Sequence, residues 1–241
     1  QNEIYKIINI SAELGVNKIR FTGGEPLLHP HIVSFIKMAS QTPRIDYVNI
    51  TTNAIYLNRN ALKLKQAGLI GINISLDTLD PKKYALITRR DLFNYAMEGL
   101  KTALLTGFLS VKINVVVLRG FNDNELINFV KLTKNNSITV RFIELMPFDA
   151  HQIWKTGKFV SAAHIKQIIL KEFSEMMPAN GTRTEHYIYQ IPGHLGKVAI
   201  IPAFSRNLCS GCNRIRITAD GKIRNCLFAK EEYNLLDKMR N

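Results

Sequence analysis

Apolar residues recur at helical spacing near the start of the chain, at Ile4, Ile7, Ile8 and Leu14, and Gly15 ends the run. The segment "NKIRF" follows as a strand. The same pairing then repeats. Amphipathic stretches over 31–40, 59–67, 92–106 and 123–135 lead to strands beginning near 47, 72, 111 and 139, after a first strand near 18. Repeated βα units of this kind build a parallel sheet. After residue 150 the alternation fades into a helix over 161–173, a Pro/Gly-rich passage and short strands around 186–191, 197–201, 214–218 and 222–225. The pattern divides the chain into a (β/α) part, 1–150, and an α+β region, 151–241.

A doubly wound sheet and a (β/α) barrel both fit the first part. Ligand sites lie at the carboxyl ends of parallel strands in either fold. Here strand after strand ends in polar residues: Thr22 to Glu25, Thr51 to Asn53, Ser75 and Asp77, then Glu144 and Met146. One site ringed by all of them fits a barrel, so the expected fold class is α/β, a partial TIM-type (β/α) barrel.

Charge sharpens this. The 241 residues hold 32 Lys and Arg against 19 Asp and Glu, a net charge of +13 that favours an anionic partner. The cations are spread along the chain, which is also the pattern of a solvated surface. No apolar run reaches the length of a membrane span, and the first residues resemble neither a secretory signal nor a transit peptide. The three cysteines, Cys209, Cys212 and Cys226, are too few and too close for a disulfide framework, so metal binding in a reducing compartment is expected.

Three features carry candidate chemistry. "FTGGEP" follows the first strand; its paired glycines let backbone amides approach a ligand, although a tight βα turn needs the same residues and the dinucleotide fingerprint is not met. Lys112 and Asn114 share one face of "VKINVVV", and Lys18 and Arg20 share one face of the first strand. Cations on buried strands need carboxylates or a bound anion, so structural ion pairs and a phosphate site both account for them. The cysteine segment, C-x2-C with a third cysteine 14 positions on, suits zinc or an iron–sulfur cluster. Zinc would take His186 or His194 as its fourth ligand. Arg214 and Arg216 stand two apart beside Cys212, and an Asp-Gly turn folds Cys226 back toward the pair, an arrangement suited to an anion beside a metal.

The ordered set "KIRFTGGEPLL", "TTNA", "INISLDTLD", "KINVVVLRGFND", "VRFIELMPF" and "LCSGCNRIRITADGKIRNCLF" resembles the radical S-adenosylmethionine GTP 3′,8-cyclases of molybdenum cofactor biosynthesis over residues 3 to 230. The resemblance implies a C-terminal [4Fe–4S] cluster on Cys209, Cys212 and Cys226, with one iron left for the purine of GTP. It implies GTP contacts at Arg20, Thr51, Lys112, Arg214, Ile215 and Arg216. It also implies S-adenosylmethionine contacts at Gly24, Ser75 and Met146. The implied reaction takes hydrogen from C3′ of the ribose and joins C3′ to C8 of the guanine. Implied partners are GTP, an electron donor, the cyclic pyranopterin monophosphate synthase downstream and a second copy in a homodimer, with no nucleic acid or membrane. The implied compartment is the cytoplasm in bacteria and the mitochondrial matrix in eukaryotes.

The family also holds a second, N-terminal [4Fe–4S] cluster on a C-x3-C-x2-C triad, which this sequence does not contain. The expectation is therefore a fragment of a longer protein, without the first barrel strand and cluster loop and unable to start the radical by itself. A peptide-modifying radical maturase would carry a longer cysteine set. An RNA-binding zinc module would interleave aromatics with its basic residues, and "CNRIRITADGKIRNC" has none.

Overall fold

The computed structural model describes residues 2–146, 157–179, 187–206, 212–227, 229 and 231–240. The βα alternation is present as expected. Helix α1 (Asn2–Glu13) leads to β1 (Lys18–Phe21), α2 (Ile32–Gln41) to β2 (Tyr47–Thr52), and α3 (Leu57–Gln66) to β3 (Gly71–Ser75). Two helices, α4 (Pro81–Thr88) and α5 (Phe93–Thr106), precede β4 (Ser110–Val117). Helix α4 carries no clear apolar period; its cap makes it. The Asp80 carboxylate accepts the N–H groups of Lys82 and Lys83, and Pro81 occupies the first turn.

The helix expected over 123–135 is shorter. A 3₁₀ turn at 123–125 leads into α6 (Leu126–Lys131), followed by β5 (Ile138–Glu144). Then come α7 (Ala162–Glu172), β6 (Met177–Pro178), β7 (Tyr187–Gln190) and β8 (Lys197–Ile201). The last elements are β9 (Arg216–Ile217), β10 (Lys222–Arg224), β11 (Tyr233–Asn234) and α8 (Leu235–Arg240).

One sheet runs β1-β2-β3-β4-β5-β8-β7-β6. Strands β1 to β5 and β8 are parallel, while β7 and β6 add on antiparallel. The strands at 187–190 and 197–201 thus continue the sheet of the first 150 residues. A three-stranded sheet, β11-β10-β9, stands apart from it.

The larger sheet is two-faced. On one side Ile50, Ile74, Ile113, Val140, Phe142 and Val198 are buried, together with Ile36, Leu64 and Phe129 from the helices. Strand β4 shows the alternation residue by residue, every second side chain buried and the others half-buried. Burying large aliphatic side chains at about 1.5–3 kcal/mol each makes this helix-packed face the main stabilising layer.

Candidate active site

The second face of the sheet is polar, and its register arranges it in rows. Thr51, Asn73, Lys112 and Thr139 are neighbours on successive strands, as are Ser75, Asn114 and Arg141 one step toward the carboxyl ends. Arg20 begins the row below, beside Asn49. The expected residues Arg20, Thr51, Lys112 and Ser75 therefore share one surface.

Arg141 belongs to the same surface and was not singled out from the sequence. It is buried, and its guanidinium donates to Asn114 Oδ1 at 2.7 Å and to Asn73 Oδ1 at 2.8 Å. Its signal was available: a cation between Val140 and Phe142 breaks a strand's apolar run just as Lys112 does. Asn73 reaches across toward Thr51 Oγ1 at 3.4 Å. Asn49 Nδ2, on the same face, is buried and has no hydrogen-bond partner among the described residues.

The carboxyl ends of the strands are tied down by carboxylates and one amide. Glu25 accepts the Leu27 N–H and the Thr52 hydroxyl on one oxygen and the Asn53 N–H on the other, at 2.7–3.0 Å. This holds the glycine turn against the end of β2. Gly23 has φ of +132°, a conformation reserved for glycine, and a Cβ at Gly23 or Gly24 would meet nothing within 4 Å. The space over the turn is open, which fits room for a ligand there.

Beyond β3, the Asp77 carboxylate accepts the Val116 N–H at 2.8 Å, and burial raises its pKa above the usual carboxylate range. Buried Asn122 donates to the carbonyls of Asp77 and Val116 and accepts from the Leu118 N–H. Glu125 takes the Thr78 hydroxyl, the Leu79 N–H and Lys83 Nζ. At the end of β5, the fully buried Glu144 accepts from Ala162, Phe204 and Ser205, two residues before Met146.

The cysteine region lies on the small sheet. Cys209 falls outside the described residues; Cys212 is an exposed free thiol and Cys226 is half-buried. Arg216 pairs directly with Arg224 and Ile217 with Ile223, so the hairpin forms as the Asp-Gly turn predicts. Cys226 follows the last residue of β10 by two places, as Arg214 precedes the first residue of β9 by two. Arg214 and Ile215 are exposed, whereas Arg216 is half-buried with Nη1 buried and unpartnered among the described residues.

His194, an alternative fourth ligand for zinc, is engaged through Nδ1. It sits in the β7–β8 turn, with Nδ1 2.8 Å from Thr133 Oγ1 and its ring edge-on to Phe173. That turn is at the start of β8, and the cysteine segment follows the other end. His186 lies outside the described residues. Two cysteines on one hairpin beside an orphaned guanidinium nitrogen fit a thiolate cluster with an anionic neighbour.

Comparisons with known proteins identify the family. The Radical SAM superfamily matches residues 1–133, and Molybdenum Cofactor Synthesis C matches residues 138–241. A GTP 3′,8-cyclase of Chlorobaculum tepidum is 49% identical over 238 residues, covering 99% of this chain and 72% of the relative. The mitochondrial GTP 3′,8-cyclase of Arabidopsis thaliana is 40% identical, with 62% of its length covered. Human molybdenum cofactor biosynthesis protein 1 is also 40% identical, with 37% covered. The structure of Streptococcus suis SuiB bound to S-adenosylmethionine shares the fold, with a TM-score of 0.67 at 16% identity over all of this chain and 58% of that one. No helix among the described residues is long and apolar enough to cross a membrane. The chain belongs to the radical S-adenosylmethionine superfamily and, within it, to the GTP 3′,8-cyclase family of molybdenum cofactor biosynthesis.

Proposed function

We propose that this chain binds GTP and supplies the substrate-holding part of a GTP 3′,8-cyclase. The observation that carries the reading is the polar face of the sheet, where Lys112 and Arg141 stand on adjacent rows beneath strand ends that carry Gly24 and Ser75. Arg20, Lys112 and Arg141 on one amide-lined surface suit a polyphosphate. Arg20, Thr51, Lys112, Arg214, Ile215 and Arg216 contact the nucleotide in this reading. Gly24, Ser75 and Met146 contact S-adenosylmethionine.

Cys209, Cys212 and Cys226 would hold the C-terminal [4Fe–4S] cluster, leaving the position a fourth thiolate would take to the purine. When bound, the family's clusters and S-adenosylmethionine supply an open iron for the base and a hydrogen-abstracting radical for the ribose. The residues of this chain bind and orient: the cations fix the phosphates, and the Asn73–Asn114–Arg141 network keeps its guanidinium immobile before substrate arrives. Asn122 and Glu125 tie the loops after β3 and β4 together beside the polar surface. The product would pass to the cyclic pyranopterin monophosphate synthase, and electrons would come from a separate donor.

Calorimetric titration of anaerobically reconstituted protein with GTP tests the reading. Arg214→Ala and Arg216→Ala should each weaken binding by about ten- to a hundredfold, the loss of one charge-assisted hydrogen bond. Iron content should stay unchanged, because no arginine ligates iron. Wild-type affinity in both variants would leave these arginines as surface charge and the nucleotide site elsewhere.

A further inference from the structure

Among the described residues, three buried side-chain atoms have no hydrogen-bond partner: Asn49 Nδ2, Arg216 Nη1 and Arg224 Nε. Two of the three belong to arginines that stand directly opposite each other on β9 and β10. Across the next ladder Ile223 pairs with Tyr233 and Lys222 with Asn234, which brings Glu232 level with Arg224. Arg216, Arg224 and Glu232 thus form one row on one face of the sheet, while Ile217, Ile223 and Tyr233 form the row on the other face.

The charges on this face do not balance locally. The Glu232 carboxylate takes Arg224 Nη2 on one oxygen and Lys222 Nζ, at 3.1 Å, on the other. Lys222 also reaches Asp220 at 3.0 Å. Arg216, Lys222 and Arg224 therefore share two carboxylates, and among the described residues neither carboxylate pairs with Arg216. Like charges directly opposite each other on neighbouring strands repel. Solvent would normally relieve this, but the two orphaned nitrogens are buried. A buried guanidinium N–H without an acceptor is costly, and a phosphate oxygen is the acceptor its fork best matches.

We propose that Arg224 is a third arginine of the nucleotide site, forming with Arg216 a two-guanidinium clamp for a phosphate group of GTP, and that Glu232 tempers the clamp by holding Arg224 from behind. The inference rests on the GTP reading above, which places Arg214, Ile215 and Arg216 at the nucleotide and assigns Arg224 nothing. A purely architectural Arg224–Glu232 pair makes a different prediction: removing either partner would loosen the hairpin and weaken binding alike.

The test is calorimetric titration of the iron-loaded protein with GTP and with guanosine, comparing wild type, Arg224→Gln and Glu232→Gln. Arg224→Gln should bind GTP about tenfold more weakly and guanosine as well as wild type does, since the lost bond is to phosphate. Glu232→Gln should bind GTP more tightly, because a full guanidinium charge is released to the ligand. Iron content should match wild type in both. Unchanged GTP affinity in Arg224→Gln, equal losses for GTP and guanosine, or weaker GTP binding by Glu232→Gln would each overturn the clamp. If Arg224→Gln loses iron or unfolds, the direction of the Glu232→Gln effect decides. A wild-type protein that binds no GTP would overturn the functional reading and the clamp with it. GTP binding that depends on Arg214 and Arg216 but not on Arg224 would overturn the clamp alone.

Discussion

Glu144→Ala removes the carboxylate that joins the first part of the chain to the second. The side chain is fully buried at the end of β5. It accepts the N–H groups of Ala162 at 2.6 Å, Phe204 at 2.9 Å and Ser205 at 2.7 Å, and the Ser205 hydroxyl at 2.6 Å. These donors belong to the first turn of α7 and to the turn after β8. Hydrogen bonds to a charged group contribute about 1.5–3 kcal/mol each, so four would sum to roughly 6–12. The sum overstates the loss, because the four act as one unit and a water entering the vacated space re-satisfies some donors. The variant leaves neutral donors without an acceptor at about 1–3 kcal/mol each, and with partial rescue by water about 3–5 kcal/mol is the expected figure. Glu144→Gln keeps an acceptor but turns an amide NH₂ toward the donors, so it should fall between alanine and wild type. Urea unfolding of iron-free protein measures both. With a slope of about 1–3 kcal/mol per molar, the alanine variant should lose more than about 1 M in midpoint. A midpoint within that of Glu3→Ala, an exposed control, would refute the role given to this carboxylate.

Gly99→Ala should destabilise although alanine favours helix. A Cβ there would run into the Ala54 carbonyl oxygen, so overpacking of about 1–3 kcal/mol outweighs a propensity gain near 1 kcal/mol in thermal or urea unfolding. Asp77→Asn should stabilise at neutral pH. Burial raises the folded carboxyl's pKa, so wild-type stability falls as pH climbs from the unfolded value through the folded one; the variant's advantage should appear across that window, persist above it and vanish below it. The 241-residue polypeptide, whose three cysteines all lie in one segment, should form no 5′-deoxyadenosine from S-adenosylmethionine with reductant. Chromatographic detection of that product would show a second cluster site on ligands other than cysteine.

Most of the barrel was legible because its signal is periodic. Apolar spacing located all five parallel strands of the first part, and the break of that spacing by Lys112 and Asn114 exposed the polar face. Helix α4 was not legible by period, since its stability comes from a cap; the Asp80-Pro81 pair was the available cue. The sheet's continuation into β8 was hidden for another reason. Val198, Ala199 and Ile200 read as a short strand anywhere, and only pairing with β5 shows which sheet they extend. Arg141 carries the same sequence cue as Lys112, a cation within an apolar strand, but its bonds to Asn73 and Asn114 follow only from the register. The cysteine hairpin was readable from a turn and a spacing. The row formed by Arg224 and Glu232 was not, because a third strand nine residues further on completes it.

These cases share a cause. In a parallel sheet a slip of one residue turns every side chain to the other face. If β4 moved by one place against β3 and β5, Lys112 and Asn114 would enter the helix-packed layer, and Ile113 would face the polar rows. The polar face opposes this in part, since the slip would separate Asn114 from Arg141 and bury the Lys112 ammonium. The opposite face prevents it: Val111, Ile113, Val115 and Val117 are all buried, and exposing them would cost several kcal/mol. The residues that hold Lys112 beside Asn73, and Asn114 beside Arg141, are therefore the aliphatic ones that no ligand touches. Substitutions that weaken that packing without unfolding the sheet should reach the nucleotide through register, before any cation is changed.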